Sequence, residues 1–196
     1  MKKTVVLLAL LCVAFVCNAQ EKWYQVGFKL STSIPLNRQY ADRGDYLVGV
    51  GTADFGVFFR AGKYVYGEVG LGYCFFKGTY QLETGNPALD FTDELVETRY
   101  LQIPIKAVGY VPMGRSCAFL PYVGIVYQPL IQVTDNTIGY SKNNIEKHFT
   151  MATAGFDFKL GFIVFGVNYR YGLQNFFRNQ TCKHPQYINI CAGFQF

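Results

Sequence analysis

The chain has 196 residues, 51% of them hydrophobic and only 16% charged, with a formal net charge of +5. That length fits a single domain, and so small a charge argues against a polyanionic partner such as nucleic acid. Beyond the N-terminus there is no run approaching the ~20 apolar residues of a spanning helix, which excludes a helical membrane bundle.

Residues 1–19 read as an export signal. Lys2 and Lys3 give the positive start, Thr4 to Val16 the apolar stretch, and Cys17-Asn18-Ala19 the small residues before a cleavage site at Gln20 or Glu21. A membrane anchor helix fits less well, because the run is short for one and no basic stop-transfer flank follows. A lipoprotein reading of Cys17 is weakened by Phe15 and Val16, where small residues are expected. Residues 20–196 then form one domain, without linker, repeat or low-complexity stretch. Removing Lys2 and Lys3 leaves 16 basic residues against 13 acids, a net of about +3. Its cysteines are Cys74, Cys117, Cys182 and Cys191, without CxxC spacing or a dense disulfide framework. Export makes a disulfide chemically accessible, but sequence does not pair these residues, and buried apolar thiols are an equal reading.

The first segment, Trp23 to Ile34, alternates strictly. Tyr24, Val26, Phe28, Leu30, Thr32 and Ile34 share one face, and Gln25, Gly27, Lys29, Ser31 and Ser33 the other. A period of two sustained over that length is a strand. Weaker alternation follows at about 48–60, 64–80, 97–111, 118–133 and 148–159, with a bulge expected near Gly51, where Val48 and Val50 give way to the opposite parity of Phe55, Val57 and Phe59. Phe162 to Gln174 is again strict, with Ile163, Phe165, Val167, Tyr169, Tyr171 and Leu173 on one face. The last segment sets Ile188, Ile190, Ala192, Phe194 and Phe196 against Tyr187, Asn189, Cys191, Gly193 and Gln195. Together these make eight strands. Their connections alternate between tight, near Ala61 to Lys63, Pro112 to Ser116 and Lys159 to Gly161, and long, at Pro35 to Leu47, Gln81 to Val96, Thr134 to Lys147 and Asn175 to Pro185. Short turns at one rim and long loops at the other describe an all-β, eight-stranded antiparallel outer-membrane barrel, with periplasmic turns and extracellular loops.

Alternation alone does not say which face is buried, since a soluble barrel of the lipocalin type hides its apolar face. Side-chain size favours the opposite arrangement. One set of faces carries glycines (Gly27, Gly56, Gly70, Gly72, Gly124, Gly166, Gly172, Gly193) among long charged residues; the other carries rings such as Tyr24, Phe28, Phe55, Phe59, Phe165, Tyr169 and Phe194. An eight-stranded interior is just wide enough for side chains to fill it, so the rings are expected to face lipid, with Tyr at the headgroup level. Charges enclosed in the lumen must pair. The expected polar network is Lys29, Asp54, Arg60, Glu68, Lys106, Asp157 and Arg170, acting as a plug.

Three segments carry a family resemblance. Tyr100-Leu101-Gln102-Ile103-Pro104-Ile105-Lys106, Tyr169-Arg170-Tyr171-Gly172-Leu173-Gln174-Asn175 and Gly193-Phe194-Gln195-Phe196 resemble strands of the PorT-like outer-membrane β-barrel proteins of the porin superfamily, across essentially the whole mature chain. Pro104, awkward in a ladder, has a counterpart in that family. The resemblance implies a small barrel in the outer membrane of a Gram-negative-type bacterium. It also implies that Phe194 and Phe196 resemble the terminal signal read by the barrel-assembly machinery. One namesake of the family is associated with protein secretion.

Chemistry is sparse. His148, near Ser141 and Glu146, and His184, before Pro185, are the only histidines, and no ordered nucleophile and base motif accompanies them. Neither zinc-type ligand spacing nor a phosphate-binding glycine loop is present, and no cofactor is expected. Phe176, Phe177, Arg178 and Lys183 in the fourth long loop are read either as a rim girdle or as a contact for lipopolysaccharide phosphates or a protein partner. The expectation is a non-enzymatic barrel with a structural or interaction role at the cell surface, contacting outer-membrane lipid and, through its loops, a protein partner. The alternatives are a component of a protein-secretion system and a narrow solute pore.

Overall fold

The computed structural model describes residues 23–37, 39–40, 46–81, 94–114, 116–136, 145–176 and 184–196. The expected signal segment, Ser141, the sequence around Arg178 and Cys182 lie outside them. Eight long strands follow in order: β1 (Tyr24–Pro35), β2 (Tyr46–Gly62), β3 (Val65–Gln81), β4 (Glu94–Gly109), β5 (Cys117–Asn136), β6 (His148–Leu160), β7 (Ile163–Gly172) and β8 (Gln186–Gln195). Two-residue ladders extend the rims, Gln39–Tyr40 along β2 and Val111–Pro112 along β5.

Each strand pairs antiparallel with the next, and β1 pairs with both β2 and β8, so the sheet closes on itself. Closure leaves no sheet edge and satisfies the ladder throughout. The expected strands lie within about three residues of the observed ones, a normal error for boundaries. The expected bulge is present as a register shift between Val48 and Gly51.

Register fixes the shape. Paired residues lead from Gln25 of β1 through Arg60, Glu68, Lys106, Gly124, Thr153, Arg170 and Tyr187, and return to β1 at Pro35, ten residues along from Gln25. A stagger of that size over eight strands tilts them by ~40° from the barrel axis, given strand spacings of ~4.8 Å and a rise of ~3.3 Å. Ten-residue β7 therefore spans ~25 Å along the axis, the height of a typical bilayer-facing band.

The short connections turn at glycines in the left-handed region, Gly62 (φ 151°) before β3 and Gly161 (φ 61°) before β7, where a Cβ would be strained. Both chain ends of the barrel lie on this short-turn rim: Phe196 exchanges backbone hydrogen bonds with Val26, and Trp23 accepts one from Gly62.

The two faces of the wall are as different as the alternation implies. Val57, Leu71, Ile105 and Val123 are 52–61% exposed on the outside, whereas Arg60 and Asp157 are wholly buried within. The outward residues of the central band (Val26, Phe28, Leu30, Phe55, Val57, Val69, Leu71, Leu101, Ile105, Val123, Ile125, Phe156, Phe165, Val167, Ile190 and Phe194 among them) carry no charge. Neighbouring outward rings pack on one another: Phe119, Phe156, Phe158 and Phe165 form a continuous group with centroids 5.2–5.8 Å apart. Trp23, Tyr24 and Tyr64 ring the short-turn rim, exposed, as amphipathic rings do at a membrane interface.

Candidate functional site

The lumen is layered. Nearest the short turns, Tyr66, Val108, Ala118, Leu120 and Tyr122 form a buried apolar layer. Above it lie the charges. Arg60 of β2 donates through Nε to Glu68 of β3, through Nη2 to Asp157 Oδ2 of β6 at 2.7 Å, and through Nη1 to Gln195 Oε1 of β8 at 2.8 Å. Lys29 of β1 reaches Asp157 at 2.6 Å, and Lys106 of β4 reaches Glu68 at 2.8 Å. One arginine and two lysines thus share two carboxylates across five strands. Gln195 in turn donates to Gln25. A separate pair, Arg170 to Asp54 at 2.9 Å, spans the lumen between β7 and β2.

Local register explains why these long side chains fit. Lys29 lies directly opposite Gly193 on one neighbouring strand and Gly56 on the other; Lys106 lies opposite Gly124, and Asp157 opposite Gly166. Each glycine leaves the wall bare beside a charge that must cross the lumen. Rings supply the remaining walls: the Lys106 ammonium lies 4.6 Å from the Tyr122 ring centroid, and the Arg60 guanidinium 4.7 Å from that of Phe58. Cation–π contacts of this kind gain strength when desolvated.

All seven residues of the expected polar network face inward; five join in one cluster and two form the pair. Further partners were not singled out from the sequence: Gln25, Gln195, Asn168, Asn189 and Cys191 also line the interior. Parity with Arg60 and Glu68 was the available signal for them. The interior is also more apolar than a lumen of glycines and charges alone, since Phe58, Tyr66, Tyr100 and Tyr122 turn inward as well.

The long-loop mouth holds the main correction. Phe176, expected at an outer girdle or partner contact, is buried inside the barrel. Its ring stacks on Phe76 at 4.7 Å and meets Phe149 edge-on at 6.4 Å. Ile145, from the preceding long loop, is fully buried in the same cluster with Cys74, Tyr100, Val126, Met151 and Tyr187. A backbone hydrogen bond from Glu146 to Phe176 ties the two loops together. The physical reason is area: a ring turned into the mouth buries its surface against other apolar residues instead of water. The charged layers are therefore closed by apolar side chains above and below.

Between the layers, a cavity of about 50 Å³ is bounded by Lys29, Asp54, Glu68, Lys106, Asn189 and Arg170, among others. A smaller one, about 20 Å³, lies under the Phe176 cap beside Thr52 and Tyr100.

The histidines stand apart from this interior. His148 is exposed at the long-loop rim, its Nδ1 2.7 Å from Tyr127 Oη and its backbone N–H donating to Glu146. His184 packs its ring on Tyr171 at 5.4 Å. No group of His, Cys, Asp and Glu among the described residues could hold a metal ion. Cys74, Cys117 and Cys191 are free thiols, Cys74 and Cys191 inside the lumen. Phe194 and Phe196 face outward and are exposed, with Phe162 stacked on Phe194 at 6.0 Å.

No family model and no curated protein matches the sequence. Among solved structures, the chain is similar to the N-terminal β-barrel domain of Pseudomonas aeruginosa OprF, at 12% identity and a TM-score of 0.43 over 88% of this chain and 97% of that one. It is similar to Ail, the attachment invasion locus protein of Yersinia pestis, solved with the heparin analogue sucrose octasulfate, at 14% identity and a TM-score of 0.42 over 88% and 97%. A third likeness is to the translocator domain of the autotransporter NalP from Neisseria meningitidis, at 12% identity and a TM-score of 0.43 over 100% and 95%. The assignment of this chain as a closed eight-stranded antiparallel β-barrel rests on its own ladder.

Proposed function

We propose that the chain is an outer-membrane β-barrel of a Gram-negative-type bacterium, with a plugged lumen and a structural or interaction role at the cell surface, and without catalysis. One observation carries the reading: a charge-free apolar band encircles the outside while lysines, arginines and carboxylates are enclosed within. In water that arrangement is inverted, exposing large apolar area and burying ions at a desolvation cost. In a bilayer it is the favourable one, because lipid takes the rings and the closed ladder leaves no polar backbone bare.

Lipid is then the principal partner. Phe194 and Phe196 serve as the feature read by the barrel-assembly machinery during insertion, and the long loops offer the surface for a protein partner. The apolar layers above and below the charges favour a plug over a narrow solute pore. A part in protein secretion rests on the PorT-like resemblance of residues 100–106, 169–175 and 193–196, and co-purification with secretion components tests it. Membrane fractionation with heat-modified gel migration tests the main reading. A barrel in the outer-membrane fraction that migrates as compact until boiled is expected; a soluble protein whose migration ignores heating would end it.

A further inference from the structure

Charge counting in the lumen leaves a remainder. Lys29, Arg60, Lys106 and Arg170 face Asp54, Glu68 and Asp157, four cations against three carboxylates among the described residues. These side chains are at most 13% exposed, and a surplus charge so far withdrawn from water is costly unless a counter-ion accompanies it.

The surplus and the space for a counter-ion coincide. The 50 Å³ cavity is bounded by Lys29, Lys106 and Arg170, by the carboxylates Glu68 and Asp54 that pair with the last two, and by the polar side chains of Ser31, Gln102 and Asn189. Its volume is several times the ~10–15 Å³ that a cavity needs to admit one water, room enough for a halide. The Tyr122 ring lies beneath both lysines, 4.6 Å from Lys106 Nζ and 5.7 Å from Lys29 Nζ, and limits how far either ammonium can withdraw from the cavity.

We propose that this lumenal cavity is a binding site for a small monovalent anion of the halide class, held between Lys29, Lys106 and Arg170 and completing the charge balance of the plug. The anion is structural. It neutralises the excess that three carboxylates leave, and its place is fixed by groups from β1, β4 and β7.

The test uses the full mature chain refolded in non-ionic detergent. Crystals soaked in bromide and measured at the bromine edge are expected to give an anomalous peak inside the cavity, in contact with the Lys29 and Lys106 ammoniums. In solution, replacing gluconate by chloride at constant ionic strength should raise the unfolding temperature along a saturating curve. Asn189→Asp puts a fixed carboxylate of unchanged size in the lining and keeps the oxygen that accepts the Ser33 hydroxyl; it should remove both the peak and the chloride dependence. The bromide measurement on the unaltered protein stands even if that variant folds poorly. A cavity without a bromide peak overturns the proposal, as expected if a lysine discharges the surplus by losing its proton. So does a peak undiminished in Asn189→Asp.

Discussion

Asp157→Asn isolates the electrostatics of the plug, because asparagine has the size of aspartate and leaves no cavity. Asp157 is wholly buried and binds Lys29 at 2.6 Å and Arg60 at 2.7 Å, with the Cys191 thiol donating to its other oxygen at 3.7 Å. Neutralising it strands Lys29 and leaves Arg60 with Glu68 alone. Removing one partner of a buried ion pair costs ~3–5 kcal/mol, and in a chain of this size each kcal/mol shifts the midpoint by ~2–4 °C, so a fall of ~6–20 °C is expected. Asp157→Asn with Lys29→Met removes the stranded cation too, and should recover ~1–3 kcal/mol, the usual coupling of directly paired residues. Thermal unfolding in detergent, followed by circular dichroism or heat-modified migration, reads both variants. A single variant within ~0.5 kcal/mol of the parent, as at a solvated surface site, would mean that water reaches Asp157, and the plug would be a wet channel instead.

Other perturbations probe the wall and the cap. Val57→Lys puts a charge on the outward face near mid-band and should cost ~2–4 kcal/mol in vesicles, read by denaturant titration; a neutral result would place that face in water. Phe176→Ala removes the ring stacked on Phe76 and should cost ~3–5 kcal/mol. In a background with Cys117, Cys182 and Cys191 changed to serine, it should also speed maleimide labelling of the buried Cys74, which shares the cap cluster; an unchanged labelling rate would show the mouth is closed by something else. Gly193→Ala brings a Cβ onto the backbone of β1, with Lys29 Cα at 2.9 Å. A backbone does not yield as a side-chain tip does, so a loss of ~1–3 kcal/mol is expected in the same thermal assay, and a neutral alanine would contradict the register of β8 on β1.

Much of this architecture was legible because a barrel wall obeys a period of two and the two faces meet opposite solvents. Strict alternation in Trp23 to Ile34 and Phe162 to Gln174 therefore gave strand and parity, and bulky rings set opposite glycines and charges gave the orientation. The bulge at Gly51 was visible as a change of parity. Less legible were inward rings such as Phe58 and Tyr122, because an aromatic residue satisfies either face, and only the parity of flanking charges, Arg60 beside Phe58, decides. Ion-pair partners were not legible at all: Arg60 meets Asp157 across the lumen from a strand far away in sequence, and that contact depends on stagger. Phe176 and Ile145 escaped because loops carry no periodicity to reveal which side chain turns inward.

The central claim is that the apolar face meets acyl chains and the charged face meets itself. Spin labels at Val57, Ile125, Phe165 and Val167, each placed singly through cysteine in vesicle-reconstituted protein, measure it most directly through collision with oxygen and with a water-soluble nickel chelate. High oxygen and low nickel accessibility at all four is the predicted result. Labels that collide freely with the nickel chelate would contradict the account.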